Sequence, residues 1–540
     1  MKIKFSLLFI LSFLFIPSIY AQEEVKSLNI KFNNSSPIVV PIGSNGFILI
    51  SYSYEKKTKS KKINLEKYNT NFKLEKSLEF KIKNTERIVY QKYLEGKYLY
   101  LISSQGNLND HTRRDLEELV IRSFSLIRID IANLETNSID IIQNTPFQVR
   151  NLIETTTNAY LIGDEGQSNK EVSSKKGFSC ASCGFPIIAS NNYFKPKIVK
   201  FDFNKKPGLK KNFEFSKYDN TKTKVLNSEL IDSTDNLELL LHSNKNDKQK
   251  VLFQQVISEK CENATELGFP KGRTALSGKV ILSDNKQKLI SGIVIEEKHT
   301  NSLERDMPPS SGIYFAIIDD NKLKFNSIID YPKFKNFKLL SKEDLYSVEK
   351  ILKENKILST NVSVKIYEIV ERDDKYLIMG EAFTKSFVET NPSNVSYTYE
   401  GIKWLGGFIL AFDKNGKFLW ENALNPSEKI LGIRSAKRVH FIEKESGDIE
   451  ISGALKSKIQ SKIIHLDGSS ETDTYTEIVN QNKKSIFKNK KEDETFLEVL
   501  SWYDNYNLGH YYKEIKNKDS SDGLEKGNYI ILKKLEITVD

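Results

Sequence analysis

The feature that most constrains the fold of this chain is an internal repeat of strand-like segments. Its clearest copy spans residues 374–424, where an apolar strand runs into Gly380 and a second strand, Phe408 to Phe412, is followed by a turn from Asp413 to Gly416. Asn-Gly between two apolar runs is a strong hairpin signal, because both residues tolerate positive φ. The unit is therefore predicted to be a meander of antiparallel strands and not a pair of helices.

Weaker copies of the same two strands recur along the chain. The first strand of the unit returns at Gly46, Gly96, Asn158, Asn236, Gln287 and Gly447. The second strand returns at Lys62, Ser125, Pro196, Lys250, Gly312 and Lys462. Successive copies lie about 50 to 95 residues apart, a period with insertions. Four short strands and their turns fill such an interval, which is the size of a propeller blade.

The two ends of the chain each contain an incomplete unit. The segment from Ser27 to Phe32 has no hairpin partner nearby, and the last unit, 496–540, lacks its final strand. We predict that the N-terminal strand completes the last blade by pairing with the strand Tyr529 to Ile537, because closing the ring leaves no open sheet edge.

The predicted fold is all-β: a single seven- or eight-bladed β-propeller of four-stranded antiparallel blades that fills residues 22–540. Eight units can be counted, but those at 225–260 and 496–540 are weak, so seven blades is the close alternative. A tandem pair of β-sandwiches would also give short strands with frequent turns.

Insertions interrupt the predicted ring at four places, near residues 165–194, 297–311, 341–358 and 386–403. The segment 341–358 opens with Ser-x-x-Asp and has apolar residues at near-helical spacing, so we expect a short helix there. The other three are expected to be loops. Long loops of this kind commonly carry recognition.

Residues 406–454 resemble the SBBP family of β-propeller repeats. The similarity lies in GGFILAFDKNGKFLWENAL followed by SGDIEISGAL, in which a strand ends in Asp-x-x-Gly, a Leu-Trp strand follows and a Gly-containing strand comes next. The match is good over this one repeat and fades elsewhere, where the turn glycine is missing from several copies. The resemblance implies a bladed ring in an exported protein, and it supplies no catalytic residues.

Residues 1–21 have the three parts of a secretory signal: two lysines, a mostly apolar run from Phe5 to Ile16, and the small residue Ala21 before a charged stretch. The apolar run is shorter than the ~20 residues of a spanning helix. We predict cleavage before Gln22, with an uncleaved N-terminal anchor as the alternative. No cysteine follows Ala21, which argues against a lipid anchor, and the expected location is the periplasm or the outside of the cell.

The charge of the chain gives little evidence for a specific partner. The formal net charge is +10 and falls by two, to +8, when the two signal lysines are removed. The lysines are scattered and do not form one patch or tail, so we interpret them as a solvated surface and expect no nucleic-acid partner. No later segment approaches 18 consecutive apolar residues, so we expect no membrane span, and we expect a monomer.

Cys180 and Cys183 form the one motif of chemical interest, Cys-Ala-Ser-Cys, in a predicted loop. In an oxidising compartment we expect a disulfide that pins the loop. Half of a metal site and a redox pair are the alternatives. Haem attachment would need a histidine where Gly184 stands. Cys261 is then left as a buried or free thiol.

Four other residues are candidates for a binding face. Asp164 and Glu381 are expected to follow inner strands at equivalent places, where they could face the central channel or only solvate a loop, and paired acids there could hydrolyse a glycan. Trp404 and Trp502 could stack on sugars, although core packing is the ordinary role of such residues. The sequence contains no local pattern for a catalytic serine, a phosphate loop or a paired-histidine metal site, so we assign no catalytic, cofactor-binding or metal-binding residue.

The predicted function is that of an exported binding module, for a protein or a glycan, without catalysis of its own. A rigid ring with its loops gathered on one face suits recognition without specifying the ligand. The alternatives are a polysaccharide hydrolase or lyase with acids at the channel mouth, and a structural component of the cell envelope.

Overall fold

A computed structural model describes the protein over residues 27–32, 37–55, 60–82, 86–94, 97–105, 120–154, 158–166, 194–203, 211–214, 222–230, 236–245, 248–257, 260–261, 264–297, 310–337, 362–391, 396–427, 430–432, 438–455, 458–477, 498–503, 506–515 and 525–536. These residues form eight antiparallel four-stranded blades arranged as a β-propeller. The all-β prediction and the count of eight blades are confirmed. The predicted helix at 341–358 lies outside the described residues.

The strands follow the chain blade by blade, with the first strand of each blade innermost. The N-terminal strand is β1 (Ser27–Phe32). Blade 1 contains β2 (Ile38–Pro41), β3 (Phe47–Glu55), β4 (Ser60–Tyr68) and β5 (Leu74–Ile82). Blade 2 contains β6 (Glu86–Leu94), β7 (Tyr98–Gln105), β8 (Val120–Asp130) and the first part of β9 (Thr136–Glu154). Blade 3 contains the last part of β9, β10 (Ala159–Gly166), β11 (Phe194–Phe201) and β12 (Lys211–Glu214). Blade 4 contains β13 (Lys222–Leu230), β14 (Leu237–Lys245), β15 (Lys248–Ile257) and an outer strand in two pieces, β16 (Lys260–Cys261) and β17 (Thr265–Leu267).

Blades 5 to 8 complete the ring. Blade 5 has an inner strand in two pieces, β18 (Arg273–Ala275) and β19 (Lys279–Leu282), then β20 (Lys288–Glu296), β21 (Gly312–Asp319) and β22 (Lys322–Asp330). Blade 6 contains β23 (Val362–Arg372), β24 (Lys375–Asn391), β25 (Ser396–Asp413), β26 (Phe418–Leu424) and the short β27 (Ile430–Gly432). Blade 7 contains β28 (Val439–Glu443), β29 (Ile449–Ala454), β30 (Lys458–Ile464) and β31 (Thr474–Glu477). Blade 8 contains β32 (Glu498–Tyr503), β33 (Tyr506–Ile515) and β34 (Gly527–Glu536), with β1 as its outer strand.

The ring is closed by the two ends of the chain, as predicted. β1 pairs antiparallel with β34 in a register that runs from Ser27 opposite Lys533 to Phe32 opposite Asn528. The apolar side chains of β1 pack into the cluster between blades 8 and 1. The N-terminal strand therefore supplies both the last ladder of blade 8 and part of its core.

The recurring pair of strands in the sequence corresponds to the second and third strands of the blades. The first recurring strand becomes β3, β7, β10, β14, β20, β24 and β29, and the second becomes β4, β8, β11, β15, β21, β25 and β30. These two strands are the ones flanked on both edges, so they are the most apolar and the most readable in sequence. The two units with the weakest sequence pattern, at 225–260 and 496–540, correspond to blades 4 and 8.

Blades 2 and 3 are joined by a strand that belongs to both. The first part of β9 pairs with β8, and its last part pairs with β10, so the two blades form one seven-stranded sheet. Ordinary hairpin patterning does not predict a strand that passes from the outside of one blade to the inside of the next.

The core lies in the seams between blades. Each of seven apolar clusters draws on two neighbouring blades of the described chain. In the seam of blades 5 and 6, the rings of Phe315 and Phe412 lie 4.6 Å apart between centroids. Burial of one such ring contributes about 1.5–3 kcal/mol, so the seams hold the disk together.

The turn at Asp413 to Gly416 differs in type from the one expected. Gly416 has a φ of +83°, whereas Asn415 does not have a positive φ. The Gly416 N–H donates to the Asp413 carbonyl at 2.9 Å, and Asp413 Oδ1 accepts the N–H of Asn415 and of Lys417 at 2.9 and 2.8 Å. This is a type I turn followed by one left-handed residue, which requires only one glycine.

The corresponding turns of blades 1 and 2 have a left-handed residue that is not glycine. The blade 1 turn has the same length, because the Phe72 N–H donates to the Asn69 carbonyl. The blade 2 turn is one residue longer, because the Leu134 N–H donates to the Asp130 carbonyl. Phe72 and Leu134 occupy the left-handed position in blades 1 and 2, with φ of 62° and 61°. Asn69 and Asp130 supply the side-chain oxygens that accept the turn N–H groups there. The missing glycines in the weaker copies therefore do not indicate missing turns.

We expect Gly416→Ala to destabilise the protein more than Gly447→Ala does. Both glycines have nearly the same positive φ, 83° and 84°, so both substitutions carry a backbone cost of about 1–2 kcal/mol. A Cβ at Gly416 would lie 2.3 Å from the ring of Phe325 in blade 5, whereas one at Gly447 meets nothing nearer than 3.5 Å. Urea unfolding should give an additional loss of about 1–3 kcal/mol for Gly416→Ala.

The double variant Gly416→Ala with Phe325→Ala identifies the source of that additional loss. If the contact across the seam is responsible, the two substitutions will be less costly together than the sum of their separate effects. Equal losses for Gly416→Ala and Gly447→Ala would show that the contact with Phe325 is not significant.

Candidate functional site

The two faces of the disk differ in the lengths of their connections. Because strands alternate in direction, the connections from second to third strand and from blade to blade all lie on one face, which we call the loop face. The connections from first to second and from third to fourth strand lie on the opposite face, the turn face. Six connections between described strands have more than ten residues, and the strand ends that they join all lie on the loop face: 106–119, 167–193, 297–311, 331–361, 478–497 and 516–526.

A long hairpin of blade 6 also extends at the loop face. The predicted loop at 386–403 is instead mostly strand, because β24 and β25 stay paired from Phe383 opposite Trp404 out to Asn391 opposite Ser396. Register shifts interrupt this ladder at three points, and β27 pairs with β25 at Ile402 to Trp404. The two strands of this hairpin are therefore longer than the other strands of blade 6.

The segment 331–337, which follows β22, is held in place at the same face, and we call it the ledge. Glu421 of blade 6 accepts the backbone N–H groups of Lys335 and Asn336 at 2.5 and 2.7 Å, and the Asn336 side chain donates to the Glu421 carbonyl at 2.8 Å. Lys333 and Lys335 are exposed on this segment. The ledge thus presents two cations on backbone that is held by the neighbouring blade.

Beneath the loop face, four inner strands contain an extra residue at the same position. These residues are Val89, Arg150, Leu226 and Tyr367, in β6, β9, β13 and β23. The residue of the second strand beside each bulge is polar and buried in every case: Ser104, Asp164, His242 and Glu381. A bulge redirects its own side chain, and in β9 and β23 the bulged residue, Arg150 or Tyr367, contacts the polar residue at this position.

Asp164 lies in this position in blade 3 and connects it to blade 4. Its side chain is fully buried, with the Arg150 Nε at 2.8 Å from Oδ2 and the backbone N–H of Val225 donating to Oδ1 at 2.7 Å. Burial raises the pKa of the Asp164 carboxyl, while Arg150 and the Val225 N–H act against that shift. The carboxylate therefore links the bulge of its own blade to the inner strand of the next.

Glu381 has the equivalent arrangement in blade 6. The hydroxyl of Tyr367, the bulged residue, donates to Oε1, and the backbone N–H of Arg438 donates to Oε2 at 3.1 Å. Arg438 directly precedes the inner strand of blade 7. Glu381 is also fully buried.

These placements decide what the two acids can do. Asp164 and Glu381 lie in different seams, separated by blades 4 and 5, and each is occupied by hydrogen bonds within the ring. They do not form an exposed pair that a polymer substrate could reach. Their chemical role in this structure is to fix neighbouring blades to each other.

The two tryptophans lie inside the ring and not on a binding face. Trp404 is 1% exposed and packs in the seam of blades 6 and 7. Trp502 is 6% exposed, stacks on Phe72 at 5.8 Å and donates from Nε1 to the Gly46 carbonyl at 2.6 Å across the closing seam. Both therefore have the core-packing role.

Cys180 and Cys183 lie outside the described residues, so their disulfide stays a prediction.

Within the described part of the chain, no group of three or more His, Cys, Asp or Glu side chains is arranged to hold a metal ion. The described residues also include no helix that is long and apolar enough to cross a membrane.

Sequence reasoning missed Arg150 and Tyr367, the partners of the two acids. Arg150 lies four residues before the end of β9 and Tyr367 five before the end of β23, and nothing in the local pattern shows that these strands bulge there. Alignment of Gly163-Asp164 with Gly380-Glu381 could have indicated a shared role, because both pairs end the apolar part of the second strand.

Comparison with known proteins shows similarity of structure alone. A scan against protein-family models gives no match, and neither does a comparison with curated proteins. The acylaminoacyl peptidase of Pyrococcus horikoshii is 11% identical, with 90% of this chain and 58% of that chain covered and a TM-score of 0.35. The β-propeller domain of the trilobed protease from Pyrococcus furiosus is 11% identical, with 84% and 98% covered and a TM-score of 0.31. The apocarotenoid oxygenase of Synechocystis is 10% identical, with 56% and 65% covered and a TM-score of 0.31. This chain thus spans less than two thirds of the peptidase and of the oxygenase, and no activity is carried over from them.

We expect removal of the Asp164 carboxylate to destabilise the ring. Asp164→Ala removes the carboxylate that accepts hydrogen bonds from Arg150 and from the Val225 N–H, which costs about 3–5 kcal/mol. Asp164→Asn combined with Arg150→Met keeps an acceptor for the N–H and removes both charges, so it should lie within about 1 kcal/mol of the wild type. Chemical denaturation measures both variants. A loss below 1 kcal/mol for Asp164→Ala would contradict the linking role.

Proposed function

We propose that this protein is exported through its N-terminal signal and acts in the periplasm or outside the cell as a binding module for a protein or a glycan. The observation that carries the proposal is that the strand ends joined by the six long connections lie on one face of the disk, together with the blade 6 hairpin. Scaffolds that concentrate variable segments on one rigid face provide recognition surfaces.

The described part of the loop face has the properties of a contact surface. The ledge with Lys333 and Lys335 is held in place by Glu421, so little order needs to be gained when a partner binds. Asp164 and Glu381 are occupied inside the seams, which favours binding over hydrolysis by these two groups. The pairing of β1 with β34 covers the edge of β34, so that edge does not pair with a second copy, which supports a monomer.

Two variants that carry the same charge change on opposite faces test the proposal. Lys333→Glu with Lys335→Glu changes the loop-face ledge just after β22. Lys322→Glu with Lys324→Glu changes the turn-face end of the same strand, where both lysines are also exposed. A third variant joins Ser386 to Gly401, which are paired in the ladder, through Asn-Gly and so removes the outer part of the hairpin.

Partners are first identified on a glycan array and by cross-linking in cells, and their affinity for the variants is then measured. We expect at least one loop-face variant to bind tenfold or more weakly, and the turn-face variant to bind as the wild type does. Wild-type affinity in both loop-face variants with loss in the turn-face variant would contradict the proposal. Cell fractionation and N-terminal sequencing should find the chain outside the cytoplasm, beginning at Gln22.

A further inference from the structure

A cluster of charged and aromatic side chains lies on the turn face, opposite the proposed recognition surface. Its centre is Arg128 on β8, near the outer end of the seam between blades 2 and 3. The guanidinium carbon lies 4.4 Å from the centroid of the Tyr98 ring and 4.3 Å from that of the Phe203 ring. Arg128 is thus held between one aromatic ring from each blade.

This arrangement fixes the guanidinium beside two aromatic rings. In the portion of the chain that the structure describes, Arg128 forms no ion pair, and its Nε is buried with no hydrogen-bond partner. The guanidinium also acts on the Tyr100 hydroxyl, because burial raises the pKa of that hydroxyl and Arg128 opposes the shift. The two rings hold the cation through cation–π contacts, which leave its charge in place. A second cation, the exposed Lys97, lies with Nζ 4.9 Å from the Tyr98 centroid.

An acid completes the cluster from the other blade. Glu154, at the end of β9, is only partly buried and accepts the Tyr100 hydroxyl at 2.5 Å. Burial raises the pKa of Glu154, while the Tyr100 hydrogen bond and the charges of Arg128 and Lys97 oppose that shift. The site therefore combines a planar cation, a flexible cation, two ring edges and a hydrogen-bond acceptor.

We infer that this cluster is a second binding site, specific for the carboxylate of an acidic glycan such as a polymer of uronic acid. The planar guanidinium presents paired N–H groups that match the two oxygens of a carboxylate, and Lys97 adds charge from the rim. Glu154 accepts a sugar hydroxyl, and the edges of Tyr98 and Phe203 contact the sugar ring.

The charge balance of the site favours a carboxylate over a phosphate monoester. Two cations, Arg128 and Lys97, lie beside one acid, Glu154, so a ligand group with one negative charge neutralises the site. A phosphate monoester carries close to two negative charges at neutral pH and would leave an excess negative charge beside Glu154. Because Arg128 is already ordered by its two rings, little side-chain entropy is lost when the ligand binds.

Isothermal titration with an oligomer of galacturonic acid, a neutral galactose oligomer of equal length and a short polyphosphate tests the inference. The variants are Arg128→Gln, Arg128→Lys and Lys97→Gln. Arg372→Gln is the matched control, because Arg372 lies on the turn face in an exposed ion pair with Glu443 at blades 6 and 7. Thermal melts of all variants separate stability from binding.

We expect the wild type to bind the acidic oligomer at least tenfold more tightly than the neutral one. Arg128→Gln should lose at least tenfold in affinity, Arg128→Lys should be intermediate because it keeps the charge without the planar group, and Arg372→Gln should bind as the wild type does. Lys97 is exposed and its substitution should leave the melt unchanged, so a roughly threefold loss in Lys97→Gln supports the site even if Arg128→Gln folds poorly.

Three results would overturn the inference. They are no binding of the acidic oligomer by the wild type, equal binding of polyphosphate, and unchanged affinity in both Arg128→Gln and Lys97→Gln. A lower melting temperature for Arg128→Gln with unchanged affinity would assign Arg128 a purely structural role.

Discussion

The pairing of β1 with β34 is the interaction on which the rest of the ring depends. Without it, blade 8 would end in an open edge at β34. The apolar cluster between blades 8 and 1 would also lose the side chains that β1 contributes to it. Six residue pairs join strands that are about 500 residues apart in the chain. Closure therefore has a large entropic cost, which the aromatic packing of the seam around Trp502 helps to offset.

The seams carry both the stability of the disk and its alignment. Their apolar clusters are contributed jointly by neighbouring blades, whereas buried polar groups fix how one blade is placed against the next. Asp164 and Glu381 do this beneath the loop face through backbone N–H groups of the following blade. A rigid support of this kind allows the long connections to vary without disturbing the ring.

Much of the fold could be predicted from the sequence, since the second and third strands of each blade are apolar runs that end in recognisable turns. The strand from Ser27 to Phe32 could be placed because it had no local partner and the last unit lacked one. The double role of β9 could not be predicted, because its polar segment Gln143-Asn144-Thr145-Pro146 is typical of a turn between two strands, whereas the chain continues as one strand from one blade to the next.

The candidate site was less predictable than the fold. Asp164 and Glu381 occupy equivalent positions, but they lie within second strands and do not follow inner strands as expected. Side-chain type alone does not distinguish an acid that faces a channel from one held in a seam. That distinction depends on the bulges at Arg150 and Tyr367, which arise from long-range pairing. The cluster at Arg128 likewise brings together side chains from residues 97 to 203, so no local motif indicates it.

A circular permutant tests the closed ring most directly. A short linker would join Glu536 to Ser27, which lie close together in the antiparallel pair, and new ends would be opened within residues 478–497 between blades 7 and 8. Blade 8 then becomes continuous in sequence. The account predicts a folded monomer at least as stable to urea as the natural order, and a strong loss of stability when Ser27–Phe32 are deleted from it. An unfolded or aggregated permutant, or one indifferent to that deletion, would contradict closure by the chain ends.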